Sequence, residues 1–388
     1  MNGWIERRHG DYYVVIDHGV DEMTGKRRRK WQKAGTTKRA AQQLLNELLN
    51  AHETNTYLEP DRMTLAEYLN ETWLPTVRNE IRFSTYDSYR RNIKIHVTPA
   101  LGGARLQAVR PIDLTRFYTD LLESGRRDGR GGLSAKTVRN IHQVLRKALD
   151  DAVGLLYLRS NPAVGAKPPK PSGAASAAIR YWTAGELLEF LDANRDHHQW
   201  ALWYLAANSG MRRGELLGLR WRNVDLDAHR LSVRHSIISV GYEITNSDPK
   251  TARGERTIEL DGRTVEVLQD HRERQRTVQH DLGAGYRDHD LVFCRTDGTP
   301  NQPDLVTQAF GRRVSRSDVP RIRFHDLRHT HATIMLMAGI PPKIVSERLG
   351  HASVSFTMDV YGHVIPGMQA KAASTFADHV FGSDGSES

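Results

Sequence analysis

A single cysteine, Cys294, stands in 388 residues. No intramolecular disulfide can form, and no cysteine cluster can hold a metal. Beside Val292 and Phe293, Cys294 reads as a small core residue. Long hydrophobic runs are missing too. The longest, Trp200 to Ala207, falls well short of the ~20 apolar residues that cross a bilayer. The opening MNGWIERRHGDYY has no apolar stretch of the signal-peptide kind, so a cytoplasmic location is expected. A nucleotide-binding loop is also lacking: GVDEMTGKR, Gly19–Arg27, has the wrong spacing and no Ser or Thr after its lysine. Acidic side chains are outnumbered, with 46 Asp and Glu against 55 Lys and Arg, a formal charge of +9 and a pI near 9.6. That balance favours a polyanionic partner, either nucleic acid or an anionic membrane surface.

What is present is enough to fold. Hydrophobic residues make up 39% of the chain, which excludes wholesale disorder, and the length suits two or three domains. Residues 1–58 read as three short strands, Trp4–Arg8, Tyr12–His18 and Arg28–Ala34, then a helix carrying Leu44, Leu45, Leu48 and Leu49 on one face. The cations Arg27, Arg28, Arg29 and Lys30 run into the third strand. Such a run is ordinarily a solvated face, but strand alternation could offer several of them to a DNA groove. Residues 63–165 read as all helix. Thr64 and Glu67 have capping-box spacing, and further helices are expected at Ser84–His96, Arg110–Ser124 and Ser134–Gly154. Arg90, Arg91, Lys94, Lys136, Arg139, Arg146 and Lys147 stud their polar faces. Ala166–Ala178, within the stretch 166–179, is a linker by composition, and a larger domain follows over 180–388. No internal repeat is visible.

Four segments of that last domain carry residues of chemical interest. In SGMRRGELLGLRW, Ser209–Trp221, Gly210 permits a tight turn before a helix on which Arg212 and Glu215 can pair. In YEITNSDPKTARGERTIEL, Tyr242–Leu260, two short strands flank a turn-rich loop bearing Lys250 and Arg253. In FHDLRHTHATIML, Phe324–Leu336, a helix puts His325 on one face with Arg328 and His329. The trio His325, His329 and His331 invites a zinc reading, but the Glu of the metalloprotease spacing is absent, so no metal is expected. Asp326 after His325 resembles metal-phosphohydrolase chemistry, for which no further ligand set stands out. In RLGHASVSFTMDVYGHV, Arg348–Val364, His351 precedes Tyr361 by ten positions. Each feature alone has a bland reading: a surface ion pair, a solvated lysine, a core tyrosine.

Taken in this order, Arg212, Lys250, the His-x-x-Arg of His325 and Arg328, His351 and Tyr361 resemble the catalytic set of the tyrosine recombinases, in particular phage and mobile-element integrases. The resemblance spans the last domain, and Ser209 stands where many relatives have Thr. More loosely, the helical middle resembles a core-binding domain, and the N-terminal sheet and helix an arm-binding domain. The implied architecture is multidomain: an α+β arm-binding domain, an all-α core-binding domain and a mainly α catalytic domain with a small β-sheet. The implied activity is site-specific DNA recombination, integrating or excising a mobile element through a 3′-phosphotyrosine on Tyr361, without cofactor. Arg212 and Arg328 would neutralise the scissile phosphate, His325 accept or orient the tyrosine proton and His351 bond a phosphate oxygen. Lys250 would protonate the departing 5′ hydroxyl, and Glu215 would hold Arg212.

Such residues suit phosphoryl transfer, which needs positioning and neutralisation of non-bridging charge. Guanidinium groups supply both as permanently charged planar forks. A phenol with an ordinary pKa near 10 needs a base or cations to become a nucleophile. The resemblance also implies double-stranded DNA with core and arm attachment sites as partner, and a homotetramer on that DNA, nucleoid-associated when active. A DNA-bending host factor and a directionality factor would assist, and the tail Ala370–Phe381 would dock on a neighbouring protomer. Two rivals stand beside it: a type IB topoisomerase, with the same chemistry and no site, and a non-catalytic DNA-binding protein.

Overall fold

The computed structural model describes residues 2–20, 25–53, 58, 61–170, 179–240, 243–247, 255–351, 353–362 and 368–382. The chain divides into two compact units, Met1–Gly173 and Ala174–Ser388; of the stretch read as a linker, 171–178 lie outside the described residues.

The first unit opens with the antiparallel sheet β1 (Asn2–Arg8), β2 (Asp11–Val20), β3 (Arg27–Gly35). The helix Lys38–Glu53 follows. Val14 and Ile16 pack with Ala41 and Leu45, so one sheet face is covered by that helix. The register sets Trp4 and Trp31 on either side of Val15 on the opposite face, and strand alternation places Arg29 and Lys33 there as well.

The helical part begins at Thr64, whose capping box with Glu67 forms as expected. The helix then departs from a simple α-helix. Leu65–Glu67 runs into a π-helical turn, Tyr68–Trp73, before Leu74–Val77. The same happens at Ile93–Val97, which links Phe83–Asn92 to Thr98–Leu101 and carries the helix past His96. Both π turns lie just before a proline, Pro75 and Pro99. A proline ring collides with the carbonyl four residues back and brings no N–H. Widening the turn by one residue relieves the clash and lets Leu74 and Thr98 donate to Leu69 and Ile93. Pro111–Ser124 and Ala135–Gly154 complete a core around Trp73, Phe117, Tyr118 and Leu145.

The second unit is mainly helical. Its aromatic centre holds Trp182, Phe190, Trp203 and Phe310, with Trp182 and Phe190 rings 4.9 Å apart. Two small sheets form among the described residues, β4 (Val224–Asp225), β5 (Arg230–Val233) and β8 (Arg256–Glu259), and the hairpin β6 (Ser236–Val240) with β7 (Glu243–Ser247). The two strands expected around Lys250 thus belong to different sheets, and the connection between them, with Lys250 and Arg253, lies outside the described residues. Among the described residues, no helix is long and apolar enough to cross a membrane.

Candidate active site

Two glycine turns organise the site. The helix Trp200–Ser209 stops at Gly210 (φ +64), and Pro342–Leu349 stops at Gly350 (φ +68). A Cβ at Gly210 would stand 2.5 Å from Leu349 Cδ2, and one at Gly350 would stand 2.9 Å from Arg256 Nη1. Glycine is therefore required for conformation and for space. The carbonyls of these turns receive two arginines crosswise. Arg328 Nη1 donates to Gly210 O at 2.8 Å, and Arg212 Nη2 donates to Gly350 O at 3.0 Å.

Arg212 caps the helix Arg213–Leu217. Its N–H donates to Glu215 Oε2 at 2.9 Å, and its Nη1 donates to Oε1 at 2.7 Å. Arg213 points elsewhere, donating to Pro303 O and Thr307 Oγ1, which tells the two arginines apart. A third cation completes the cluster. Arg256, buried on β8, donates from Nη2 to Glu215 Oε2 at 2.8 Å and from Nε to Arg348 O at 2.7 Å. Burial would raise the Glu215 carboxyl, but the Arg256 hydrogen bond and the charges of Arg256 and Arg212 hold it below the ordinary range. Arg328 is 4% exposed. Burial first, then Arg212, pushes its guanidinium down to about 9, still above neutral pH, so it stays charged.

The helix Asp326–Met337 brings the histidines in. His325, just before it, is exposed, and its imidazole is pushed down to about 4 by partial desolvation, then by His329 and Arg328. One turn on, His329 Nδ1 lies 2.7 Å from the Tyr361 hydroxyl. The contact expected of His325 is therefore made by His329. The two share a helical face, but His325 is at the surface and His329 is half-buried beneath it. Tyr361 closes the helix Val354–Tyr361 among Ala332, Leu336, Val345 and Leu349. It is 1% exposed, and burial pushes its hydroxyl up to about 12 against the opposing charge of Arg328.

His351 stacks on Tyr361 with ring centroids 6.4 Å apart and contacts Thr357 Oγ1 through Nδ1 at 2.8 Å. Burial, then Arg328, Arg212 and Arg256, push it down to about 3. The other members of the zinc reading are engaged. His331 Nδ1 meets Ala207 O at 2.8 Å, and its Nε2 accepts from Arg348 Nε at 3.2 Å. Asp326 accepts from Arg323.

Sequence reasoning passed over Arg256. Its signal was a cation on the inward phase of a strand, two residues before buried Ile258. Of the candidate DNA contacts, Arg27 and Arg29 pair with Asp17, with Arg29 stacked over Trp4. Lys30 lies opposite Ile16 and so on the helix-covered face; the Arg28 side chain is outside the described residues. Arg90 and Arg91 both pair with buried Asp87. Lys94 and Lys136 are exposed and Arg139 is half-buried.

Residues 182–367 match the phage integrase family, and residues 64–122 match the phage integrase N-terminal SAM-like domain. A tyrosine recombinase XerC-like protein of Caldanaerobacter subterraneus is 30% identical, the match spanning 95% of this chain and 96% of that protein. The ICEBs1 integrase of Bacillus subtilis is 27% identical over 95% and 98%. Among solved structures, the Tn1549 transposon integrase in complex with a circular intermediate DNA superposes with a TM-score of 0.65 at 19% identity, covering 81% of this chain and all of that one. A lambda integrase tetramer bound to a Holliday junction superposes at 0.56 and 18% identity, covering 92% and 96%.

Proposed function

Because the chain belongs to the tyrosine recombinase family of phage and mobile-element integrases and is a site-specific DNA recombinase, we propose that Tyr361 is its nucleophile, acting with Arg212, Arg328, His325 and His351, and with Lys250 as the acid. The observation that carries this reading is the crosswise tie of Arg212 to Gly350 and Arg328 to Gly210, with His351 stacked on Tyr361. Three segments distant in sequence thereby meet, with Arg328 tied to the turn before Arg212 and its charge acting on the Tyr361 phenol.

In this reading the two guanidinium groups neutralise the non-bridging oxygens of the scissile phosphate, as bound metal ions do in many nucleases. His351 Nδ1 meets Thr357 Oγ1; in the tautomer in which that hydroxyl donates, the ring proton is on Nε2 and can be donated to a phosphate oxygen. His325 is the surface imidazole, placed to meet DNA. Glu215, itself held by Arg256, holds Arg212. Lys250 protonates the departing 5′ hydroxyl. A second 5′ hydroxyl then attacks the phosphotyrosine and restores the phosphodiester, so no nucleotide is consumed.

Residues 1–58 serve as an arm-type and 63–165 as a core-type DNA-binding domain. Four protomers assemble on double-stranded DNA with core and arm sites, assisted by a DNA-bending host factor and a directionality factor. That the lambda integrase neighbour is a tetramer on a Holliday junction supports this assembly. A type IB topoisomerase has no use for two site-binding modules on one chain.

The test is a nicked suicide substrate in the presence of EDTA. Wild-type protein becomes trapped on DNA, and Tyr361→Phe binds without trapping. Trapping by Tyr361→Phe, or its loss in EDTA, contradicts the assignment.

A further inference from the structure

On the reading that Tyr361 is the nucleophile, we propose that His329 is the base that takes its proton. The Tyr361 hydroxyl sits among aliphatic side chains and meets His329 Nδ1 at 2.7 Å, with ring centroids 5.6 Å apart. Hydrogen-bond reach of the proton is the first requirement of a general base. His325, 5.3 Å from His329 by ring centroids, is left at the surface for the DNA.

The surroundings keep the ring able to accept. The groups facing it are Asp326, Arg328 and His325 from its own helix and cap, Arg323 before it, and Tyr361 and His351 from the C-terminal segment. Burial outweighs Asp326 and, with Arg328 and Arg323, lowers the imidazole below its ordinary value near 6.5. At neutral pH the ring is uncharged, with its proton on Nε2 and its Nδ1 lone pair toward the phenol.

The step balances. As Oη bonds to phosphorus, its proton passes to His329 Nδ1. The P–O5′ bond breaks, and the leaving oxygen takes a proton from the acid assigned to Lys250. On rejoining, the incoming 5′ hydroxyl returns its proton to that acid, the P–Oη bond breaks, and the imidazolium returns its proton to Oη. Asp326 stabilises the imidazolium meanwhile.

The experiment is single-turnover cleavage of a nicked suicide substrate by the full-length protein from pH 5 to 9. His329→Asn places an amide oxygen near the Nδ1 position, accepting the hydrogen bond without taking the proton. We expect unchanged DNA affinity, a loss of about 100-fold in cleavage, and disappearance of the wild-type acid limb below pH 6.5. His329→Ala is slowed similarly and recovers with added imidazole. Should His329→Ala fail to fold, the rate and pH profile of His329→Asn still decide. Cleavage by His329→Asn within threefold of wild type, or slow cleavage with the acid limb intact, overturns the proposal. Failure of wild type to trap, or trapping by Tyr361→Phe, overturns the nucleophile assignment instead.

Discussion

At the residue scale, the site is a balance of one carboxylate against three guanidinium groups. Glu215 is the pivot, since it holds Arg212 for the phosphate and neutralises buried Arg256. Breaking a buried pair from one side costs about 3–5 kcal/mol because the remaining charge is stranded. Glu215→Gln should therefore destabilise the protein strongly in urea at pH 7. The folded carboxyl lies below its ordinary 4.5, so its contribution is present above that pH and fades as pH falls through the folded value. The gap between wild type and Glu215→Gln should then shrink from pH 7 to pH 4, and an equal gap at both pH values contradicts this account. Arg328→Ala should slow cleavage by about 10²–10³-fold in a single-turnover assay, the effect of removing one preorganised donor from a developing oxyanion. A loss below tenfold would leave Arg328 a structural residue. The types of residue were legible in sequence because Arg212, His325, Arg328, His351 and Tyr361 sit in compact local motifs. The partner of the Tyr361 hydroxyl was not. Helical periodicity put His325 and His329 on one face, and only depth of burial separates them.

At the scale of elements, two helix stops do the positioning. Gly210 and Gly350 adopt left-handed conformations and hand their carbonyls to Arg328 and Arg212. Gly350→Ala should lose about 1–2 kcal/mol from backbone strain alone and more from displacing Arg256. Gly311, inside Pro303–Val314 with open space around its Cβ position, should gain about 0.5–1 kcal/mol on the same substitution. Urea midpoints of the two variants should move in opposite directions, and equal shifts would show that the left-handed turn at Gly350 is not what matters. The cap at Thr64 and the helix from Ser134 were readable, because local side-chain chemistry and apolar spacing set them. The π turns before Pro75 and Pro99 were not, because a proline in a helical pattern reads as a break or a kink. Nor was the parting of β7 and β8 into separate sheets, which depends on pairing partners distant in sequence.

For the whole molecule, the +9 charge sits in the first unit: residues 1–173 hold 29 Lys and Arg against 19 Asp and Glu, and residues 174–388 hold 26 against 27. On β3, the register leaves Arg27 and Arg29 on the face opposite the helix and Lys30 on the covered face. The joint change of Arg27 and Arg29 to Ala should weaken binding to arm-type DNA and lower its salt slope by about two, while core-site cleavage continues. Equal loss at both sites contradicts that division of labour. The central claim, that a cluster of permanent cations readies one phenol to capture a DNA strand, is tested most directly by mapping the trapped complex. After nuclease and protease digestion, mass spectrometry should find a nucleotide 3′-phosphate on the peptide carrying Tyr361. An adduct on any other residue contradicts the account.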